Sequence, residues 1–220
     1  NECLVDGVPK TDIATAIKNA QSLDPEGLKR VTEFTDGVIN LLWPKGDEPG
    51  YTLPYEKTKK LRFRPGELTI WSAASGHGKS QMLSDASTDW VHQGAKMCIA
   101  SLEMSPAQLL RRMVKQAGDT DRPSEPYIRL ILNWMSAHVF LYEKLGKAGL
   151  EQILEVFDYA RGCFGCDVFI LDSLMRLSVK SDDYYGQQDV IERLVDWVST
   201  REVHLHLVAH ARKAGNQGAR

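Results

Sequence analysis

Between a short apolar run and a longer helical pattern, the chain reads Ser75-Gly76-His77-Gly78-Lys79-Ser80. The apolar run, 67–71, has the length of a buried strand, and 80–94 has the spacing of a helix. Glycines at such a junction let the backbone fold around an anion with its N–H groups pointing inward. A lysine here can reach the β- and γ-phosphates of a nucleotide, and the following hydroxyl can ligate Mg²⁺. We therefore predict a phosphate-binding loop whose contacts come from Ser75, Gly76, His77, Gly78, Lys79, Ser80 and Gln81.

One position departs from the usual phosphate-loop pattern. That pattern begins with a glycine five positions before its last glycine, and Ala73 stands there in this chain. A chance glycine loop at a helix start is the alternative interpretation. The combination of strand, loop, Lys-Ser pair and helix favours the phosphate loop.

Two acidic residues follow later apolar runs. Asp172 ends the run 167–172, and Glu103 follows the run 96–101. Ligands of open α/β sheets bind at the carboxyl ends of the strands. An aspartate there can hold Mg²⁺, and a glutamate beside the γ-phosphate can orient or deprotonate the attacking water. Each signal alone is weak, since many strands end in acidic residues, but both gain weight from the preceding loop.

The last apolar run, 204–209, leads into His210. A polar side chain in that position can contact the γ-phosphate and respond to whether ATP or ADP is bound. A partly buried structural histidine is the equal alternative. His204 and His206 share the strand parity of His210, but no carboxylate accompanies them, so we predict no metal site there.

Apolar runs and helical patterns alternate through most of the chain. Strands are predicted at 67–71, 96–101, 139–142, 167–172 and 204–209, and helices at 80–94, 106–117, 150–161 and 187–200. Residues 118–137 are less regular. This alternation predicts an α/β fold with a mostly parallel sheet flanked by helices.

The first 65 residues have a different character. Helical spacing at 11–23 stops at Asp24-Pro25-Glu26-Gly27, a second amphipathic helix is predicted at 28–43, and 44–65 is a turn-rich polar connector. The second helix must bury its apolar stripe either on its own domain or on a neighbouring subunit, and both remain open. We divide the chain into a tail and linker (1–27), a linker helix and connector (28–59), and an ATPase core (60–220).

The composition of the chain restricts the kinds of partner that it can bind. The chain has 220 residues, 43% of them hydrophobic, and a net charge of −2. That charge gives no support to a strongly basic surface, so any nucleic-acid contact must be local. No apolar run approaches the ~20 residues of a membrane span, and we expect no membrane partner. The chain opens without Met and ends in a polar run, so we expect a piece of a longer protein.

The cysteines form one C-x-x-C pair, Cys163 and Cys166, with Cys3 and Cys98 elsewhere. A zinc or redox site needs a second pair or a suitable histidine at a spacing that is lacking. We expect reduced thiols packed at the start of a strand, which fits a reducing cytoplasm.

Together these residues resemble the hexameric replicative helicases of the DnaB type. The run Ser101-Leu102-Glu103-Met104-Ser105, followed by Gln108-Leu109, is similar to that family's segment after the second strand. Ala73 at the head of the loop is also in keeping with the family. The resemblance covers about residues 60–213.

A finer resemblance is to the primase–helicases of phages and mitochondrial Twinkle. His210-Ala211-Arg212-Lys213 is similar to the end of their sensor strand, and Asn1-Glu2-Cys3-Leu4 resembles the tail of their TOPRIM primase region. It implies a primase domain in the same chain and a bacterial or phage-infected cytoplasm more than a mitochondrial matrix.

The resemblance implies a RecA-like ATPase core that hydrolyses ATP with Mg²⁺. In it Lys79 and Ser80 bind phosphate and Mg²⁺, Asp172 also holds the metal, Glu103 is the catalytic base and His210 is the sensor. The helix at 28–43 docks on the adjacent subunit of a ring, usually hexameric, that moves along single-stranded DNA. The arginine finger, the main DNA-binding loops and the last strand are expected beyond residue 220. A filament-forming recombinase ATPase and a non-unwinding loader or regulatory module are the alternatives.

Overall fold

A computed structural model of the chain describes residues 4–5, 8–9, 28–43, 48–74, 76–177 and 183–210. The chain divides into two compact units, residues 1–48 and 49–220. The larger unit begins at residue 49, ahead of residue 60, where we placed the start of the core from the sequence.

The smaller unit contains the predicted second helix in shortened form. Strands β1 (Leu4–Val5) and β2 (Val8–Pro9) pair antiparallel, and a 3₁₀ turn, Val31–Phe34, leads into α1 (Thr35–Leu42). Every residue from 28 to 43 is exposed, including the large apolar ones. The helix predicted at 11–23 lies outside the described residues.

The segment expected to be a polar connector contains a short hairpin. Strands β3 (Tyr51–Thr52) and β4 (Arg62–Phe63) pair antiparallel. Leu53 and Phe63 are buried among the core side chains of the larger unit, and the indole N–H of Trp90 donates to the Thr52 carbonyl at 2.9 Å. The connector prediction was therefore wrong for this part of the segment, because two-residue strands are too short to show a period-2 pattern.

Five parallel strands form the central sheet of the larger unit. They are β5 (Leu68–Ala73), β6 (Met97–Ser101), β7 (Val139–Leu141), β8 (Val168–Asp172) and β9 (His204–His210). Their order across the sheet is β5-β9-β8-β6-β7, and every pair is parallel. All five carboxyl ends therefore lie along one edge. The predicted α/β class with a parallel sheet is confirmed.

Helices cover both faces of this sheet. On one face lie α2 (Lys79–His92), α3 (Pro106–Ala117) and α4 (Glu125–Met135), and on the other lie α5 (Leu150–Phe164) and α6 (Tyr184–Arg201). Along β6, Met97 and Ile99 pack in the core on the face covered by α2, α3 and α4, and Cys98 and Ala100 pack in the core on the opposite face. Successive side chains of a strand point to opposite faces of the sheet, as this alternation shows. None of the described helices combines the length and apolar character needed to cross a membrane.

The helix α4 occupies the segment that showed no regular pattern. It begins after Ser124, carries Pro126 in its first turn, and buries Ile131 and Met135. Proline is tolerated there because the first helical N–H groups lack intrahelical partners in any case. From the sequence we described residues 118–137 only as less regular, so this helix was not predicted.

Two buried histidines, His204 and His206, belong to an aromatic cluster on the face of the sheet covered by α2, α3 and α4. The ring of His206, fully buried, stacks on Trp90 with centroids 4.3 Å apart and an interplanar angle of 8°. Trp71 donates its indole N–H to His206 Nδ1 at 3.1 Å, while buried His206 Nε2 has no hydrogen-bond partner among the described residues. His204 contacts the Arg64 carbonyl (2.7 Å) and the Thr69 hydroxyl (3.0 Å). Burial lowers the pKa of both imidazoles, that of His206 the more strongly.

The C-x-x-C cysteines occupy two different environments. Cys166 is buried ahead of β8, as predicted, and burial raises the pKa of its thiol to about 12, as it does for Cys98. Cys163 is exposed in the last turn of α5, so its predicted packing was wrong. Cys3 lies outside the described residues.

Candidate nucleotide-binding site

The predicted site residues gather at the carboxyl edge of the sheet. The strands β5, β6, β8 and β9 end there at Ala73, Ser101, Asp172 and His210. Strand pairing sets Ser101 opposite Asp172 and Ala73 opposite His210. Residues nearly 140 positions apart therefore meet at one edge, in the place where open α/β sheets bind ligands.

The phosphate loop has the backbone that its glycines were expected to provide. Gly76 and Gly78 have φ of 81° and 82°, in the left-handed region that side chains disfavour. Gly78 is also the N-cap of α2, so the positive end of that 14-residue helix points at the loop. Ser75 lies outside the described residues. His77 is exposed and lies in the same loop, where its backbone N–H donates to the Ala74 carbonyl at 3.4 Å.

Lys79 lies folded over this loop. Its ammonium group donates to the carbonyl oxygens of Ala73 (2.7 Å) and Ala74 (3.2 Å). Both acceptors belong to the strand end that leads into the loop. The cation is thus held within the loop, beside the backbone N–H groups that would receive phosphate.

Ser80 and Asp172, the two predicted metal ligands, are in direct contact. The Ser80 hydroxyl donates to Asp172 Oδ2 at 3.0 Å, joining the start of α2 to the end of β8. A hydroxyl and a carboxylate this close offer the oxygen ligands that Mg²⁺ prefers. The residues present therefore fit a Mg²⁺ bound between the loop and β8.

The charge on Asp172 is set by opposing effects. Burial raises the pKa of this carboxyl, the hydrogen bond from Ser80 lowers it, and the neighbouring Glu103 carboxylate raises it again. Electrostatic interactions with His210 and Arg112 lower it further. A buried carboxylate beside another carboxylate is a site where an added cation relieves an electrostatic cost.

Glu103, the predicted base, follows β6 and contacts Ser173, directly after β8, and His210, at the end of β9. Its side chain is 31% exposed. The Ser173 hydroxyl donates to Glu103 Oε1 at 2.7 Å, Arg176 Nε lies 3.4 Å from the same atom, and His210 Nε2 lies 3.6 Å from it. The structure thus brings the predicted base and the predicted sensor together.

The start of α3 fixes the chain directly after Glu103. Ser105 caps this helix and forms a capping box with Gln108, in which the Ser105 backbone N–H donates to the Gln108 side-chain oxygen Oε1 at 3.3 Å. The predicted N-cap is confirmed. Because the cap restricts the backbone at 105, the short link from β6 holds Glu103 at the sheet edge.

A polar cavity of ≈ 960 Å³ opens beside these groups. The residues that line it include Ser80, Gln81, Glu103, Arg112 and Asp172. Arg112 Nη1 is buried and has no hydrogen-bond partner among the described residues. The sequence analysis missed Arg112, Ser173 and Arg176, because an arginine on a helix and a Ser or Arg in a turn carry no local signal.

The chain is similar to known proteins over the segment that carries these residues. The sequence profile of the AAA domain family matches residues 54–216, which include every site residue described above. The chain belongs to the AAA domain family. It is also 24% identical over 215 residues to a DNA helicase/primase of Enterobacteria phage T3, covering 89% of this chain and 37% of that protein.

A solved structure shares the fold. It is described as a DnaB-like replicative helicase and its interactions with primase, and it matches with a TM-score of 0.67 at 13% identity. The match covers 98% of this chain and 56% of that one. The fold resemblance to DnaB-type helicases inferred from the sequence is confirmed. The chain spans little more than a third of the curated relative's length and just over half of the solved structure's.

Proposed function

We propose that residues 1–220 are the ATP-hydrolysing motor segment of a replicative DNA helicase. The observation that carries this proposal is the convergence of Lys79, Ser80, Glu103, Asp172 and His210 at one sheet edge. The family match and the phage relative support a helicase over a recombinase or a non-unwinding loader.

Each residue then has a separate task. The loop N–H groups and Lys79 bind the β- and γ-phosphates of ATP. Ser80 and Asp172 hold Mg²⁺, which when bound neutralises charge on the phosphates. Glu103 accepts a proton from the attacking water and orients it. His210, 3.6 Å from Glu103 Oε1, lies at the strand end where loss of the γ-phosphate would be sensed.

We further propose that α1 attaches the motor to a neighbouring copy. Val31, Phe34, Val38 and Ile39 are all at least 46% exposed. An apolar helix stripe of this kind is unfavourable in water and is stabilised by docking. A ring of copies, hexameric by resemblance, moving along single-stranded DNA is the assembly that fits, with a primase region earlier in the same chain.

The test is strand separation by the full-length protein. A labelled forked duplex is mixed with protein, Mg²⁺ and ATP, and release of one strand is followed. We expect release that requires ATP and single-stranded DNA, and none from Lys79→Ala, because that variant lacks the mobile cation at the phosphates. Equal release by Lys79→Ala would contradict the proposal.

A further inference from the structure

Three side chains meet on a single oxygen of Glu103. The Ser173 hydroxyl is 2.7 Å from Oε1, Arg176 Nε is 3.4 Å from it, and His210 Nε2 is 3.6 Å from it. Among the described residues, every hydrogen bond or ion pair to this carboxylate ends on Oε1. That leaves Oε2 as the oxygen that can accept a proton.

The backbone builds this arrangement from adjacent strand ends. Leu102 N donates to the Asp172 carbonyl at 2.7 Å, which continues the β6–β8 pairing one step past Ser101. Ser173 follows directly, and the 3₁₀ turn Leu174–Arg176 brings Arg176 back toward Glu103. The contacts from Ser173 and Arg176 thus come from the segment that also carries Asp172, whereas that from His210 comes from the end of β9.

The two new contacts differ in strength. Ser173 is fully buried, and a hydrogen bond to a charged acceptor away from water is among the stronger ones in proteins. The Arg176 side chain is 47% exposed, and half-exposed ion pairs contribute little. Ser173 should therefore fix the carboxylate, with Arg176 adding a smaller restraint.

We propose that Ser173 is a positioning residue for the catalytic base, assisted by Arg176. By holding Oε1, Ser173 fixes the rotation of the Glu103 carboxylate so that Oε2 faces the reacting water. This inference rests on the proposed function, in which Glu103 is the base. The alternative is that the Ser173 hydroxyl, like any buried polar group, has found an acceptor with no bearing on catalysis.

The experiment compares Ser173→Ala with wild type in the full-length protein. Steady-state ATP hydrolysis is normalised to folded protein, and Kd for Mg²⁺–ATP is measured separately. We expect kcat to fall about tenfold, since a misoriented base loses part of the ~10²–10⁴-fold it supplies, while Kd changes less than about twofold. Ser87→Ala is the matched control, because it removes another buried serine hydroxyl, whose hydrogen bond among the described residues is to the Leu83 carbonyl within α2.

A double-mutant cycle separates positioning from a structural role. In the Glu103→Gln background, single-turnover hydrolysis should lose less than about twofold more on adding Ser173→Ala, because the base is already gone. A tenfold loss in both backgrounds, or a kcat no lower than that of Ser87→Ala, overturns the inference. If Glu103→Gln itself hydrolyses normally, the proposed function fails instead.

Arg176→Ala provides a second route should Ser173→Ala not fold. Its side chain is half exposed, so its removal should leave the fold intact. We expect kcat to fall about two- to threefold with Kd unchanged, and no additional loss in the Glu103→Gln background. An additive loss in that background, or no loss in the wild type, counts against the inference.

Discussion

His206 should make the fold sensitive to mild acid. Its imidazole is fully buried against Trp90, and Nδ1 accepts the Trp71 N–H. Protonating Nδ1 would place two donors face to face and a charge in an apolar cluster. Burial, and then the neighbouring His204, hold the pKa of His206 well below its usual 6.5. The folded state therefore resists a proton that the unfolded chain accepts.

Proton linkage gives the sign and the size of the effect of pH on the free energy of unfolding. The stability from neutral His206 is fully present above pH 6.5 and is lost as pH falls toward the folded pKa. One proton bound only by the unfolded chain changes the free energy of unfolding by about 1.4 kcal/mol per pH unit. For a chain of this size that equals about 3–6 °C in Tm per pH unit below 6.5.

Urea unfolding of wild type and His206→Phe between pH 7.5 and 5 isolates this contribution. The carboxylates titrate equally in both proteins, so the difference in slope belongs to His206. We expect the slope for His206→Phe to be smaller by about 1.4 kcal/mol per pH unit, whatever its stability at pH 7.5. His92→Gln, which removes an exposed histidine, is the control for the loss of an imidazole outside the buried cluster. Equal slopes for wild type and His206→Phe would refute the reasoning.

Three further outcomes can be measured directly. Asp172→Asn should raise the thermal midpoint by a few degrees, because it removes a buried charge (~0.5–2 kcal/mol) and keeps an acceptor for Ser80. The same variant should abolish Mg²⁺-dependent ATP binding. A lowered midpoint in calorimetry would contradict this expectation. Gly50→Ala should destabilise the fold by about 1–3 kcal/mol, because the added Cβ would lie 2.4 Å from the Phe63 carbonyl oxygen at a residue with φ +100°. Gly162→Ala, in α5 with open space around it, should instead stabilise the fold by about 0.5–1 kcal/mol. Chemical denaturation measures both free energies, and the reverse order would show that the clash at Gly50 is relieved. Ile39→Asp, on the exposed stripe of α1, should lower the oligomer mass in sedimentation without changing ATP binding, and an unchanged mass would remove α1 from the interface.

The sequence predicted those parts of the site that are encoded locally. A strand, two glycines, a Lys-Ser pair and a helix lie within about 30 residues, so residue order alone places Lys79 at the loop and Ser80 at the helix start. Asp172 and Glu103 were predictable because parallel strands end at one edge. Their roles, like that of His210, stay predictions until hydrolysis is measured.

What the sequence could not predict depends on tertiary packing. Arg112 is one of several basic residues on α3, and only the fold places its Nη1 beside the cavity. Ser173 can donate a hydrogen bond to Glu103 only because β6 and β8 are neighbours in the sheet. The helix α4 differs, since Ile128, Ile131, Leu132 and Met135 do follow helical spacing. That pattern was present in the sequence and was overlooked.

The most direct test of the central claim separates ATP binding from hydrolysis at Glu103. Glu103→Gln keeps the shape and the acceptor for Ser173 but removes the base. We predict that the full-length variant binds Mg²⁺–ATP with a Kd close to that of wild type, while DNA-stimulated hydrolysis falls by ~10²-fold or more. If binding and hydrolysis fell together, Glu103 would serve the structure of the site, and the assignment of this sheet edge as an ATPase centre would be contradicted.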